Sequence, residues 1–339
     1  MSIMEQDRTD PGAARARLAR VLERAVPGHV DVEAVSPLSG GASSLTYAVD
    51  AVREGQAWRL ILQVTPPGQT VAGMSRAVQA ALQTRVGKAG VRVAEVIAVL
   101  TPQDDLGEGF VMAFVEGETL APRWLRDNAY AGARAAMLAD CAESLARIHA
   151  IGAEAVADLR LPVLTPQAQL RALREIYDDC EGAVPVFELA FAMLGESLPE
   201  DGNLALVHGD FRSGNLIVGD TGLAAVVDWE LAHIGHPLLD IGWLSTNTWR
   251  FGQTQMPVGG FAEREAFYAA YEASGGMKVD PELALAFEML GSLRWGVMCM
   301  QMGAAHLSGE VASVERAAIA RRVSETEADL LYMLKHGAL

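Results

Sequence analysis

The sequence predicts an α+β protein of two lobes, a small β-rich N-terminal lobe and a larger helical C-terminal lobe. Three observations carry that reading. Between residues 31 and 114, short apolar runs of strand character are punctuated by Gly and Pro. From about residue 120 onward, apolar residues recur at three- and four-residue spacing over long stretches. The chain has 339 residues, half of them apolar, which is enough for two substantial cores. The boundary is expected within Phe114-Val115-Glu116-Gly117-Glu118, where charge and glycine suit an exposed hinge. This gives an N-terminal helix over residues 1–30, a first lobe over 31–117 and a second over 118–339.

Taken in order, residues 11–26 have helical spacing at Leu18, Val21, Leu22 and Val26 and stop at Pro27-Gly28. Asp31–Leu38 and Thr46–Val52 read as strands around a Gly-Gly turn, and Trp58–Val64 as a third, ended by Pro66-Pro67. Val71–Val86 alternates at helical period, and Val91–Leu100 and Phe110–Phe114 supply two more strands. Helices are then expected over Tyr130–Ala150, Pro166–Tyr177, Val184–Leu198, Phe261–Ala273, Pro281–Leu307 and Val311–Leu334. Asp280-Pro281-Glu282 is a good start signal, with a capping carboxylate, a first-turn proline and an acid near the positive helix end. The apolar run from Leu283 to Ala305 is broken by Glu288 and Arg294, so it reads as a buried amphipathic helix rather than a membrane span.

Net charge is -16 with a pI near 4.9. Such a surface disfavours nucleic acid and anionic membranes as partners, because its long-range field repels them. It leaves a neutral or cationic substrate open, and Mg²⁺ can screen an anionic one locally. Cys141, Cys180 and Cys299 are odd in number and far apart, with neither metal spacing nor a disulfide framework. They suit reduced thiols of a cytoplasmic protein. The polar start MSIMEQDRTD does not read as a signal peptide.

Chemistry is concentrated in HGDFRSGNLIVGDTGLAAVVDWELAHIGHPLLD, residues 208–240. It supplies an aspartate, an asparagine five residues on and a second aspartate thirteen beyond that. Phosphoryl transfer needs such a set: one carboxylate to take the proton of an attacking hydroxyl, and an Asn plus an Asp to hold Mg²⁺ on nucleotide phosphates. Asp210, Asn215 and Asp228 fill those places. His208 reads as a hydrogen-bonded scaffold of the loop rather than a proton carrier.

The stretch resembles the aminoglycoside phosphotransferase and choline kinase superfamily, whose fold is that of protein kinases. The carrying motif is H-G-D-x4-N, followed by D-W-E and a further Asp twelve residues on. The resemblance implies Asp210 as catalytic base, Asn215 and Asp228 as magnesium ligands, and Asp240 as a buried prop for the catalytic loop. Trp229 and Glu230 match a branch that includes kinase-like domains found beside acyl-CoA dehydrogenases. One departure is that His236 stands where the family's G-D-P has Asp, a position that is usually structural.

The resemblance also implies a nucleotide-binding first lobe. LSGGASSLTY, residues 38–47, resembles the family's glycine turn. There Gly40, Gly41 and Ser43 would bring backbone amides and a hydroxyl to phosphate oxygens. Ala113–Val115 would offer backbone hydrogen bonds to the base. On the third strand, kinase-like enzymes place a Lys that grips phosphates and pairs with a Glu on the next helix. Here LILQVTPP puts Gln63 at that position, and Gln79 falls at the glutamate position of a helix without acids. Two glutamines can hydrogen-bond to each other or to a phosphate. What they cannot supply is positive charge; Arg76, on the same helix, reads as a solvated position, the alternative being that it swings in to supply that charge.

Acceptor specificity in the superfamily sits beyond the catalytic loop, here about Trp243 to Leu307. Trp243, Trp249, Phe251, Trp295 and Met298 could wall a pocket or simply form core, and Arg212 and Glu230 flank the catalytic groups. The chain ends MLKHGAL, without the terminal carboxylates that aminoglycosides usually meet. The expected activity is Mg²⁺-dependent transfer of the γ-phosphate of ATP or GTP to a small hydroxylated metabolite, by analogy a hydroxy acid or hydroxyacyl thioester. The competing reading is an impaired kinase that binds nucleotide or an acyl ligand as a regulator.

Overall fold

Alternating β-branched and aromatic residues build a five-stranded antiparallel sheet near the start of the chain. The computed structural model describes residues 12–38, 45–65, 73–180, 182–200 and 202–337. It divides the chain into two units, 1–116 with 224–231 and 117–223 with 232–339.

In the first unit the strands are β1 (Val30–Leu38), β2 (Leu45–Arg53), β3 (Gln56–Thr65), β4 (Val96–Val99) and β5 (Glu108–Ala113), ordered β1-β2-β3-β5-β4. One face, including Val32, Val49, Leu60 and Leu62, packs on Leu18, Val21 and Leu22 of α1 (Ala13–Ala25). The other face presents Ile61, Phe110 and Met112 to Ala80 of α2 (Arg76–Lys88). The β2–β3 turn is Glu54-Gly55, with φ of +50° and +80°. Two consecutive positive φ values suit the twist of a two-residue hairpin. The N-terminus of α2 is capped by Ser75, whose hydroxyl accepts the amide of Val78 at 3.3 Å.

The strand expected over Val91–Leu100 is only Val96–Val99. The preceding backbone is used elsewhere: the amide of Val91 donates to Val86 O, and Gln83 Nε2 donates to Ala94 O at 2.7 Å. These bonds tie Val91 and Ala94 to α2, while isolated bonds, Ala113 N to Glu95 O and Val226 N to Arg92 O, reach strands.

The second unit is mostly helical. Its helices are α3 (Ala121–Arg126), α4 (Ala131–His149), α5 (Pro166–Asp179), α6 (Pro185–Ser197), α7 (Leu238–Ser245), α8 (Arg264–Ala273), α9 (Pro281–Leu307), α10 (Val314–Ala320) and α11 (Val323–His336). Short strands β6 (Ala205–Val207) and β9 (His233–Gly235) pair antiparallel. Between them lie β7 (Leu216–Gly219) and β8 (Gly222–Val226), the latter carrying the chain into the first unit.

α9 is long and apolar enough to cross a membrane by length and composition. Its Phe287, Leu290, Leu293 and Val297 are nonetheless buried, and it packs on α5, α6, α7, α10 and α11. Asp280 caps it, accepting the amide of Glu282 at 3.0 Å. Glu288, 1% exposed, is held by Arg250 at 2.7 Å and by Arg264 at 2.8 Å. The helix expected over Val311–Leu334 is instead α10 and α11. The chain turns at Arg321–Arg322, and Ile319 and Val323 pack against one aromatic cluster from either side of that turn.

Candidate active site

In the second unit, β6 delivers the chain into His208-Gly209-Asp210, a turn that needs Gly209 at φ +77°. Asp240, fully buried in the first turn of α7, accepts the amides of His208 and Gly209, each at 2.8 Å. Its carboxylate also meets His149 Nε2 at 3.1 Å, and His149 Nδ1 meets the Tyr271 hydroxyl at 2.8 Å. Burial pushes the Asp240 carboxyl up. His149, the charge of His208 and the loop amide outweigh burial and hold it below its ordinary value. Arg294 closes the loop from the other side, donating to Gly209 O at 2.9 Å with its guanidinium 4.4 Å from the Trp243 ring. Burial lowers the Arg294 pKa against the pull of Asp210 and Asp240.

The Asp210 side chain leaves this turn into a dense set of donors. Oδ1 accepts Trp243 Nε1 at 2.6 Å and Arg212 Nε at 3.1 Å. Oδ2 accepts Asn215 Nδ2 at 2.7 Å and Arg212 Nε at 3.2 Å. His208 Nδ1 accepts the amide of Asp210 at 3.2 Å, so its ring braces the loop. Asn215 Nδ2 also donates to Asp210 O at 3.0 Å. With its nitrogen so committed, Asn215 Oδ1 is the atom left for a cation. Arg212 lies 4.6 Å from the Trp249 ring, and Trp243, Trp249 and Trp295 meet edge-on at about 5 Å in a buried cluster that Phe251 and Met298 join.

Asp228 belongs to the first unit. It sits at φ +70°, between the end of β8 and a single turn over Trp229–Leu231. Trp229 is fully buried, and its Nε1 donates to Val226 O at 3.2 Å, fixing the turn that presents Asp228. Glu230, expected beside the acceptor, instead pairs with Arg76 at 3.6 Å within this unit.

Arg76 overturns the solvated reading of that position. It is 1% exposed, not solvated. Its NH1 donates to Gln79 Oε1 at 2.7 Å, and its Nε lies 3.4 Å from Thr65 Oγ1. Gln79 therefore engages Arg76 rather than Gln63. Gln63 itself is half-buried on β3, on the α2 face by alternation between Ile61 and Thr65. At the end of β5, the amide of Ala113 is used by Glu95 O at 2.8 Å, so a ligand could take only the Ala113 carbonyl. Val115 follows as a half-buried residue packed against the α2-side core. Gly40, Gly41 and Ser43 lie outside the described residues.

Sequence reasoning missed Trp243 as a partner of Asp210, His149 as a partner of Asp240, and Arg294 at the loop. No spacing rule links positions 33, 91 and 85 residues apart. From sequence, Trp243 reads as pocket wall or core and not as a donor to Asp210.

A five-stranded antiparallel unit and a helical unit carrying such a loop define a protein-kinase-like fold. Residues 34–277 match the model of the phosphotransferase enzyme family, and the chain belongs to that family. It is 29% identical over 259 residues to acyl-CoA dehydrogenase family member 11 of Gallus gallus, covering 71% of this chain and 31% of that protein. The chain thus spans about a third of the length of that relative. Among solved structures, a putative aminoglycoside phosphotransferase from Ralstonia eutropha superposes with a TM-score of 0.72 at 21% identity, covering 94% of this chain and 96% of the other. Spectinomycin phosphotransferase in complex with ADP and spectinomycin gives 0.61 at 13% identity, with 93% and 98% covered.

Proposed function

We propose that this phosphotransferase moves the γ-phosphoryl group of ATP or GTP to a hydroxyl of a small metabolite, with Asp210 as the base. The observation that carries the reading is the Asp210 carboxylate itself. Four short donor contacts from Trp243, Asn215 and Arg212 hold it on a loop pinned by Asp240. A carboxylate so restrained is pre-oriented, which is most of what a protein contributes to phosphoryl transfer. The acceptor oxygen bonds to the γ-phosphorus as the bridge to the β-phosphate breaks. The hydroxyl proton passes to Asp210, and the nucleoside diphosphate leaves. Asn215 Oδ1 and the Asp228 carboxylate are hard oxygen donors that suit Mg²⁺, which would neutralise charge on the phosphates.

Arg212 lies against Asp210 and Arg294 against the preceding Gly209, each over a tryptophan. Two guanidinium groups disfavour a polycationic aminoglycoside and suit an acceptor bearing a carboxylate or phosphate. The likeness to an acyl-CoA dehydrogenase family member supports a hydroxy acid or hydroxyacyl thioester.

Thermal unfolding with ATP and with GTP, each with and without Mg²⁺, tests the donor half. A nucleotide at about a hundred times its Kd adds roughly 2.7 kcal/mol. The expected result is a magnesium-dependent rise in the midpoint that Asp210→Asn retains and Asp228→Asn loses. A rise that Asp228→Asn keeps in full would contradict the metal-ligand role.

A further inference from the structure

A kinase-like donor site needs a fixed positive charge on the phosphates, and the β3 position that usually supplies it holds Gln63. The first unit contains a buried cation nearby. Arg76, in the first turn of α2, is 1% exposed and touches Gln79 at 2.7 Å, Thr65 at 3.4 Å and Glu230 at 3.6 Å. Thr65 and Gln63 lie on one face of β3, so the guanidinium reaches the same side of the sheet as the vacated position. Glu230 is two residues from Asp228, so the pair joins α2 to the turn that presents that carboxylate. Glu108 accepts the backbone amide of Arg76 at 2.7 Å.

Burying an arginine is costly unless its donors are well used. Here Gln79, Thr65 and Glu230 hold the guanidinium, and the Glu230 end of the pair is 22% exposed. Gln79 adds an independent sign. Arginine offers only donors, so Oε1 must face it and the orientation of the amide is settled. Gln79 Nε2 is then buried with no hydrogen-bond partner among the described residues. A buried, unmet amide donor costs about 1–3 kcal/mol. A guanidinium beside an unmet amide donor suits an anion rich in acceptor oxygens.

The geometry points to Arg76, with Gln79 beside it, as the group that binds the donor's phosphates, the cation having moved from strand β3 to helix α2 and its carboxylate partner from α2 to Glu230. This rests on the phosphotransfer reading above, and it turns the absence of a cation at position 63 from a defect into a relocation. Arg76 is then a phosphate-binding residue. Its loss should be felt in proportion to the phosphates on the ligand.

The test is calorimetric titration of the wild type, Arg76→Gln and Gln63→Lys/Arg76→Gln with nucleoside, diphosphate and triphosphate, all with Mg²⁺. Arg76→Gln is expected to weaken di- and triphosphate binding by roughly tenfold to a hundredfold, as for a lost charged hydrogen bond, and to leave nucleoside binding unchanged. Restoring a cation with Gln63→Lys should recover most of that loss. Equal weakening of nucleoside and triphosphate would make Arg76 a brace of α2 and overturn the assignment, as would no weakening. If Arg76→Gln does not fold, the Arg76 Nε–H resonance of the wild type, assigned with Arg76→Lys, decides. It should move with the diphosphate and not with the nucleoside, and a resonance that ignores both overturns the proposal. A wild type that binds no nucleotide would sink the phosphotransfer reading as well. Binding that is indifferent to Arg76→Gln sinks this inference alone.

Discussion

Asp210 has its two carboxylate oxygens divided among three side chains, and the shortest contact, 2.6 Å, comes from the Trp243 indole. An indole N–H is donor only, so Trp243 holds Oδ1 without competing for the acceptor's proton. Trp243→Phe keeps the apolar bulk of the cluster and deletes that one donor. Its turnover number should fall about tenfold or more, consistent with loss of a charge-assisted hydrogen bond, while nucleotide affinity stays put. Steady-state kinetics against both substrates separates the two constants. At this scale the motif residues are legible in the sequence because they are close together: Asp210, Asn215 and Asp240 fall within one stretch of chain. Their partners are not. Trp243 looks like any helix tryptophan until α7 is placed beside the loop, and Arg76 looks solvated because a helix of weak amphipathicity does not announce its buried side.

Elements are set by how closely their backbones approach. A Cβ on Gly242 of α7 would lie 2.4 Å from the backbone carbon of Phe287 in α9, which cannot yield without shifting the helix. Since Asp240 sits two residues earlier, any shift of α7 is passed to the loop that carries Asp210. Gly242→Ala should cost at least the top of the about 1–3 kcal/mol typical of overpacking, and should lower activity with stability. Gly195 in α6 is the control, because a Cβ there meets nothing within 4 Å. Gly195→Ala should stabilise by about 0.5–1 kcal/mol through helix propensity alone, read as a denaturation midpoint. Helices with strong periodicity and a capped start, such as α9 after Asp280, were readable from sequence. The strand over Val91–Leu100 was overcalled because apolar content does not reveal that Gln83 takes the Ala94 carbonyl. The short α7 was missed because a helix buried on every side has no amphipathic signature.

At the scale of the whole molecule, stability should depend on pH through groups built into the second unit. His236 is 4% exposed and stacks on Phe287 with ring centroids 4.8 Å apart, and its Nδ1 accepts the amide of Leu238. Burial first, and the charge of His149 second, lower its pKa from 6.5 to about 4. A folded value below the unfolded one means that stability is complete above about pH 6.5 and declines as pH falls toward 4. The difference between 6.5 and about 4 corresponds to roughly 3 kcal/mol. Asp240, also held low, extends the loss into more acid solution. Chemical denaturation at pH 7.5 and at pH 5 should show the decline, and His236→Gln should flatten it. The fold class and the order of the lobes were legible because apolar period changes from strand-like to helical along the chain. The relocated cation was legible only as the less favoured alternative for Arg76, since it depends on a contact between residues 76 and 230 that only the folded chain makes.

The most direct test of the account is transfer of radiolabel from the γ-phosphate of ATP or GTP, with Mg²⁺, to a panel of hydroxy acids and hydroxyacyl thioesters, comparing wild type with Asp210→Asn. The account predicts a labelled phosphoester with at least one acceptor from the wild type, and none above background from Asp210→Asn despite intact nucleotide binding. Equal labelling by the two proteins would contradict the role of Asp210. Nucleotide binding without labelling of any hydroxylated acceptor would contradict the assignment of phosphotransfer to this class of substrate.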